Sequence, residues 1–129
     1  MEFTDKQAIY LQIVDYVCDC IVAGKWQTDE RIPSVRDLAV ELLVNPNTVM
    51  RAYEHLQTKG IVYTKRGVGL HVAPEAGNTI VSSRRDNFIR LEMPELFGKL
   101  TRLSISFEEL KQQYLLYLET HKDIQDEKK

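Results

Sequence analysis

Cysteine occurs only twice in the 129 residues, tryptophan once and proline four times. No apolar run approaches the roughly 20 residues that a membrane helix needs, so no membrane partner is expected. The two cysteines, Cys18 and Cys20, sit two apart in a helical pattern, where side chains point to different faces and do not readily bridge. A disulfide framework is excluded, and both are expected as reduced, packed thiols. Their C-x-C spacing hints at a metal, but His55, His71 and His121 are scattered and no second cysteine pair exists. No metal and no cofactor are therefore expected. Net charge is small as well, −2 at pH 7, which argues against an indiscriminate polyanion binder. It leaves room for a local basic patch, because Arg31, Arg36, Arg51, Lys59, Lys65 and Arg66 fall in one stretch. The opening "MEFTDKQAIY" lacks the charged-then-apolar pattern of a signal peptide, which makes the cytoplasm the expected location. No phosphate loop is present and the carboxylates are dispersed over helix faces, so an enzyme is not expected.

What remains is a chain long enough for one ordinary domain, or a small domain with an appendage. From Ala8 to Val22 the apolar residues Ile9, Leu11, Ile13, Val14, Val17, Ile21 and Val22 recur at the spacing of an amphipathic helix, which Gly24 ends. "TDERIPS" is a loop in which Pro33 forces an extended residue before it and Ser34 is placed to cap the next helix. That helix, "SVRDLAVELL", puts Val35, Leu38, Ala39, Leu42 and Leu43 on one face. After a short turn, Asn45 is a cap and Pro46 a first-turn residue of another helix, buried along Val49, Ala52, Tyr53 and Leu56 and ended by Lys59 and Gly60. "IVYTKRGVGLHV" then reads as two short strands around a glycine-containing turn. Helix, helix, short turn, helix, hairpin is the order of a winged helix-turn-helix, expected over residues 1–75.

Residues 76–83 are small and polar, a linker or helix lead-in. Over 84–121 the apolar residues return at helical spacing, with Ser106 and Glu109 forming a capping box, so two helices are expected there. Residues 122–129 are expected to fray. Two helices alone expose too much apolar surface, and such a patch means association. The fold expected is thus mainly α with a small β hairpin, an N-terminal winged helix-turn-helix plus a C-terminal two-helix dimerisation segment. Phe88, Leu91, Leu96, Phe97, Leu100, Leu110, Tyr114 and Tyr117 are its candidate dimer residues.

The helical period that buries Val49, Ala52, Tyr53 and Leu56 turns Asn47, Met50, Arg51 and Glu54 outward. A recognition helix needs a small, polar or basic N-terminal face, since its first turns enter the major groove and Asn or Arg can pair with base edges. A lone helix with such a face is more often only solvated. Arg36 on the bracing helix and Lys65 and Arg66 at the hairpin tip flank the same side and can neutralise phosphates. Gly67 and Gly69 suit a tight turn that lets backbone approach the duplex, or an ordinary hairpin.

The segments "IYLQIVDYVCDCIVAGKW", "RIPSVRDLAVELLVNPNTVMRAYEHLQTKGIV" and "GVGLHV" resemble, in order and spacing, the DNA-binding domain of the GntR family of bacterial transcription regulators. The tail "RRDNFIRLEMPELFGKLTRLSISFEELKQQYLLY" is similar to the dimerisation segment of its YtrA subfamily. The resemblance implies a homodimeric regulator, a repressor acting on a double-stranded DNA operator, in a subfamily commonly found beside genes for ABC transporters. Carried over by position, it implies DNA contact by Arg36, Asn45, Asn47, Thr48 and the wing near Gly67, with Ser34 and Tyr53 on phosphates. Pro46 and Met50 depart from the pattern, since many members carry arginine at both positions. The operator sequence is thereby put in doubt rather than the docking mode, and Met50 can instead touch a thymine methyl. Arg51 either meets DNA or pairs with Glu54 or Glu30.

A winged-helix module used only for protein contacts is the competing reading. It predicts no cost in DNA affinity when Arg36, or Lys65 and Arg66, are removed. A small-molecule effector of unknown identity stays open, with Phe88, Phe97, Tyr114 and Tyr117 either lining a pocket or packing as core.

Overall fold

The local signals become elements in the order α1 Ile9–Val22, α2 Val35–Leu42, α3 Pro46–Thr58, β1 Val62–Lys65, β2 Gly69–Val72, α4 Ala76–Asn87, a π-helical turn Phe88–Glu92, α5 Met93–Arg102 and α6 Phe107–Thr120. The structure is a computed structural model that describes residues 1–5 and 7–122. The stretch 123–129, most of the expected frayed tail, lies outside the described residues. The chain forms two compact units, the first Met1–Arg85 and the second starting at Asp86.

In the first unit the apolar stripes of α1, α2 and α3 meet. Ile13, Val17, Leu38, Val49 and Leu56 are wholly buried, and Val72 of β2 closes the core beside them. Burial of this kind, rather than helix propensity, holds short helices such as the 8-residue α2 in place. Caps set where they start. The Ser34 hydroxyl accepts from Asp37 N at 3.1 Å, and Asn45 Oδ1 accepts from Asn47 N at 2.8 Å. The buried Gln12 is fully paired: its Nε2 donates to the carbonyls of Thr4 and Gln7 at 2.8 and 2.7 Å, and its Oε1 accepts from Thr4 N at 2.9 Å. That set ties the arm before α1 onto the helix, as a buried amide requires.

Leu43 corrects an expectation. The helical period puts it on the buried face of α2, but it is 89% exposed. The helix ends at Leu42 because Leu43 adopts a left-handed conformation, φ 57°, so that Val44 N reaches Ala39 O at 3.0 Å. This turn throws the Leu43 side chain off the helical stripe, and Val44 packs on the core instead.

The strands pair antiparallel, Val62 with Val72 and Lys65 with Gly69. The loop before α2 extends this sheet: Asp29 N donates to Val72 O, Val72 N to Glu30 O and Ile32 N to Leu70 O, each between 2.9 and 3.0 Å. The wing is therefore braced on both sides of β2. It is fixed further by Gln57 Nε2 donating to Thr64 Oγ1 at 2.8 Å and by the Tyr63 hydroxyl donating to Asp29 Oδ1 at 3.0 Å. Residues 76–83, read from sequence as a linker or helix lead-in, are the first two turns of α4. Ala76 and Ile80 are buried in the first unit, and Arg84 pairs with Asp19 of α1 at 2.7 Å. Both partners of that pair are largely exposed, so it contributes about 0–1 kcal/mol.

In the second unit the π-helical turn precedes Pro94, which lies in the first turn of α5. A proline there lacks an N–H and would clash with the carbonyl four residues back, and a widened turn relieves both. Ser106 caps α6, its hydroxyl accepting from Glu109 N at 3.1 Å. No residue of the π-helical turn, α5 or α6 is buried.

Candidate nucleic-acid interface

The N-terminal half of α3 stands free. Asn45, Asn47, Met50, Arg51 and Glu54 are exposed and Thr48 is half-buried, as the period of the helix expects. The backbone N–H groups of the first turn are partly satisfied by the Asn45 cap, and the helix dipole adds partial positive charge at this end. A cleft of about 410 Å³ opens beside it, lined by Ala8, Ile9 and Tyr10 of the α1 end and by Asn45, Asn47, Thr48 and Arg51. Four of the residues singled out from sequence are thus gathered in one place.

Arg36 is exposed on α2, next to the cap residue Ser34. Ser34 uses an oxygen lone pair to cap the helix, which leaves its hydroxyl proton free to donate outward. Lys65, Arg66 and Gly67 are exposed at the wing tip, where Gly67 has φ 78°. Gly69 has φ 116°, and a Cβ there would come within 3.2 Å of Arg31 Nε. The guanidinium of Arg31 therefore lies over the wing at a point only glycine allows. The sequence gives Arg31 only as a member of the basic stretch; its place over the wing follows from the pairing of the loop with β2.

Tyr53 has a packing role. Its ring is buried, and its hydroxyl donates to Pro33 O at 2.8 Å, which holds the loop before α2 against α3. Burial, together with the nearby Glu41 and Asp37 carboxylates, raises its pKa well above the usual tyrosine value. The side chain acts as a strut between the two elements, its hydroxyl proton committed to Pro33 O. Tyr53→Phe should cost about 1 kcal/mol of stability in a denaturant melt. DNA affinity should change by less than about twofold; a large loss of affinity with stability intact would assign the hydroxyl to a phosphate.

Arg51 takes neither of its expected carboxylate partners. Among the described residues its guanidinium instead lies 3.9 Å from the centre of the Tyr10 ring. Tyr10 was not singled out from sequence, for nothing local shows that the first turn of α1 runs beside the outward side of α3.

Cys18 and Cys20 are both buried free thiols. Burial pushes Cys18 up to about 11, so it remains a neutral thiol at physiological pH. Among the described residues no cluster of His, Cys, Asp or Glu is placed to hold a metal, and no helix is long and apolar enough to cross a membrane. In the second unit Phe88, Leu91, Leu96, Phe97, Tyr114 and Tyr117 are exposed, and Leu100 and Leu110 are half-buried.

Residues 9–72 match the family model of bacterial regulatory proteins, gntR family. The chain is 31% identical to the HTH-type transcriptional repressor YtrA of Bacillus subtilis, over 79% of this chain and 78% of that protein. A crystal structure of a GntR-family transcriptional regulator from Bacteroides thetaiotaomicron superposes with a TM-score of 0.78 at 43% identity, covering 88% of this chain and 98% of that one. The DNA-binding domain of AraR, solved in complex with its operator ORR3, is similar over 57% of this chain and 88% of its own length, with a TM-score of 0.51 and 26% identity.

Proposed function

Because this chain belongs to the GntR family of bacterial regulatory proteins, DNA-binding transcription regulators and not enzymes, we propose that it acts in the cytoplasm as a homodimeric repressor that lays α3 into the major groove of its operator. The free, capped N-terminal half of α3, with Asn47, Met50 and Arg51 exposed on it, carries this reading. In it Asn45, Asn47, Thr48 and Met50 face base edges, and Ser34, Arg36, Lys65, Arg66 and the Gly67 backbone hold phosphates. Capping by Asn45 and the bracing of the wing through Gln57 keep both parts in fixed register with the core.

A single recognition helix covers few base pairs, so affinity requires two half-sites read by two protomers. The apolar residues of α5 and α6, none of them buried within the protomer, are the surface assigned to that pairing. Phe88, Phe97, Tyr114 and Tyr117 belong to this seam rather than to an effector pocket.

The test is binding to the DNA upstream of the protein's own gene, against scrambled DNA of equal length, at 50 and 200 mM salt. Operator affinity should reach about 10⁻⁸ M or tighter. With Arg36, Lys65 and Arg66 from each of two subunits on phosphates, affinity should fall roughly 10³-fold between the two salt concentrations. Arg36→Ala should lower the salt slope by about 2 for the dimer. A random-sequence selection that enriched no site would overturn operator reading and favour a protein-binding module.

A further inference from the structure

Tyr10 stands outside every feature that the recognition helix accounts for, yet it touches that helix twice. Its ring lies under the Arg51 guanidinium at 3.9 Å and meets the His55 ring edge-on at 6.2 Å. Arg51 and His55 are four residues apart and so share one side of α3, the side toward α1. Tyr10 is half-buried and fills the space between them and its own helix.

We infer that Tyr10 is a positioning residue for DNA binding, holding the Arg51 guanidinium as a preset grip on a backbone phosphate beside the recognition helix. An arginine on an exposed helix face normally samples many rotamers or is neutralised by a carboxylate. Arg51 has no carboxylate partner among the described residues, and its guanidinium carbon rests 3.9 Å from the centre of the Tyr10 ring, which restrains it. A cation–π contact uses up none of the guanidinium's hydrogen-bond donors on an acceptor atom, so its N–H groups remain able to donate. Arg51 lines the same cleft as Asn45, Asn47 and Thr48, beside the start of α3.

The choice of phosphate over base edge follows from direction. Asn47 and Glu54 lie along the outermost line of α3, whereas Arg51 is drawn off that line toward α1. A helix that fills the major groove has a sugar-phosphate wall on each side. A side chain displaced laterally from the leading edge therefore meets the wall and not the floor. The ring does two things at once: it shortens the list of conformations the arginine must give up on binding, and it keeps the charge unpaired in the free protein.

This inference rests on the operator-binding reading, and the experiment separates the two. Affinities for operator and scrambled DNA are measured across a salt series for wild type, Tyr10→Leu, Tyr10→Phe, Arg51→Ala and the Tyr10→Leu/Arg51→Ala double variant, with thermal melts of each. Arg51→Ala should weaken binding to both DNAs by about tenfold and lower the salt slope by about 2 for a dimer. Tyr10→Leu should lose at least about threefold in the wild-type background and less than about twofold once Arg51 is absent, the signature of two residues acting as one. Tyr10→Phe, which keeps the ring, should bind as wild type. Should Tyr10→Leu melt below the assay temperature, Tyr10→Met serves as the same arm.

Equal losses from Tyr10→Leu in both backgrounds would overturn the proposal, since the ring would then act on the fold or on DNA directly. So would a Tyr10→Phe as weak as Tyr10→Leu, or an Arg51→Ala that loses operator preference with its salt slope unchanged. Absence of any operator preference in the wild type is a different failure and falls on the operator-binding reading itself.

Discussion

Phe97→Glu combined with Tyr117→Glu should turn the protein into a monomer and lower its operator affinity by about 10²-fold or more, the scale of avidity that linking two binding events supplies. Both side chains are about half exposed, at 48% and 49%, in a unit whose α5 and α6 bury none of their residues. Apolar surface of that extent is stable in water only when something covers it. A second copy supplies a matching face by symmetry. Two charges on each protomer would then have to be desolvated at the seam, which association cannot offset. Light scattering reads the oligomeric state, and binding to full operator and isolated half-site reads the consequence. Binding to the half-site should hardly change, because the recognition helix belongs to the other unit. A double variant that stayed dimeric with full operator affinity would remove α5 and α6 from the interface.

Leu56→Ala should be the most costly single truncation in the first unit, losing about 3–5 kcal/mol. Leu56 is 0% exposed on α3, and its removal leaves a cavity under the recognition helix that the surrounding helices can only partly fill. In a unit of this size the midpoint of thermal unfolding should drop by about 15 °C or more. Met50→Ala, on the exposed face of the same helix, should move the midpoint little. A Leu56→Ala loss below about 1 kcal/mol would mean that α3 does not depend on this packing, contrary to the burial described for it.

The two variants separate the properties that the chain combines. One should leave the first unit intact and remove the proposed partner; the other should leave the proposed pairing surface intact and loosen the first unit. The same separation shows why the slightly acidic net charge, −2, is compatible with a DNA-binding role. Arg36, Lys65 and Arg66 are exposed on the elements that flank α3, and a local field acts within about a Debye length, roughly 10 Å.

Much of this was legible in the chain because it depends on near neighbours. The stripes that bury Ile13, Val17, Leu38, Val49 and Leu56 follow from helical period, and Ser34, Asn45 and Ser106 cap helices through bonds that span two or three residues. The wing follows from two short β-prone runs about Gly67 and Gly69, and the outward set Asn47, Met50, Arg51 and Glu54 from the stripe opposite it.

Tertiary structure alone decided what lies between distant residues. A hydroxyl on Tyr53 finding the Pro33 carbonyl, the Arg31 guanidinium resting over Gly69 and the ring of Tyr10 beneath Arg51 join residues 20, 38 and 41 positions apart by their numbering. Leu43 shows the same limit at short range, since one left-handed residue rotated an apolar side chain from the expected core face into solvent. Period and capping are set by the covalent chain within a few residues. Which side of one helix meets which turn of another is set by how the whole core closes, and on that closure depend the seat of Arg51 beside Tyr10 and the bond from Tyr53 to the Pro33 loop.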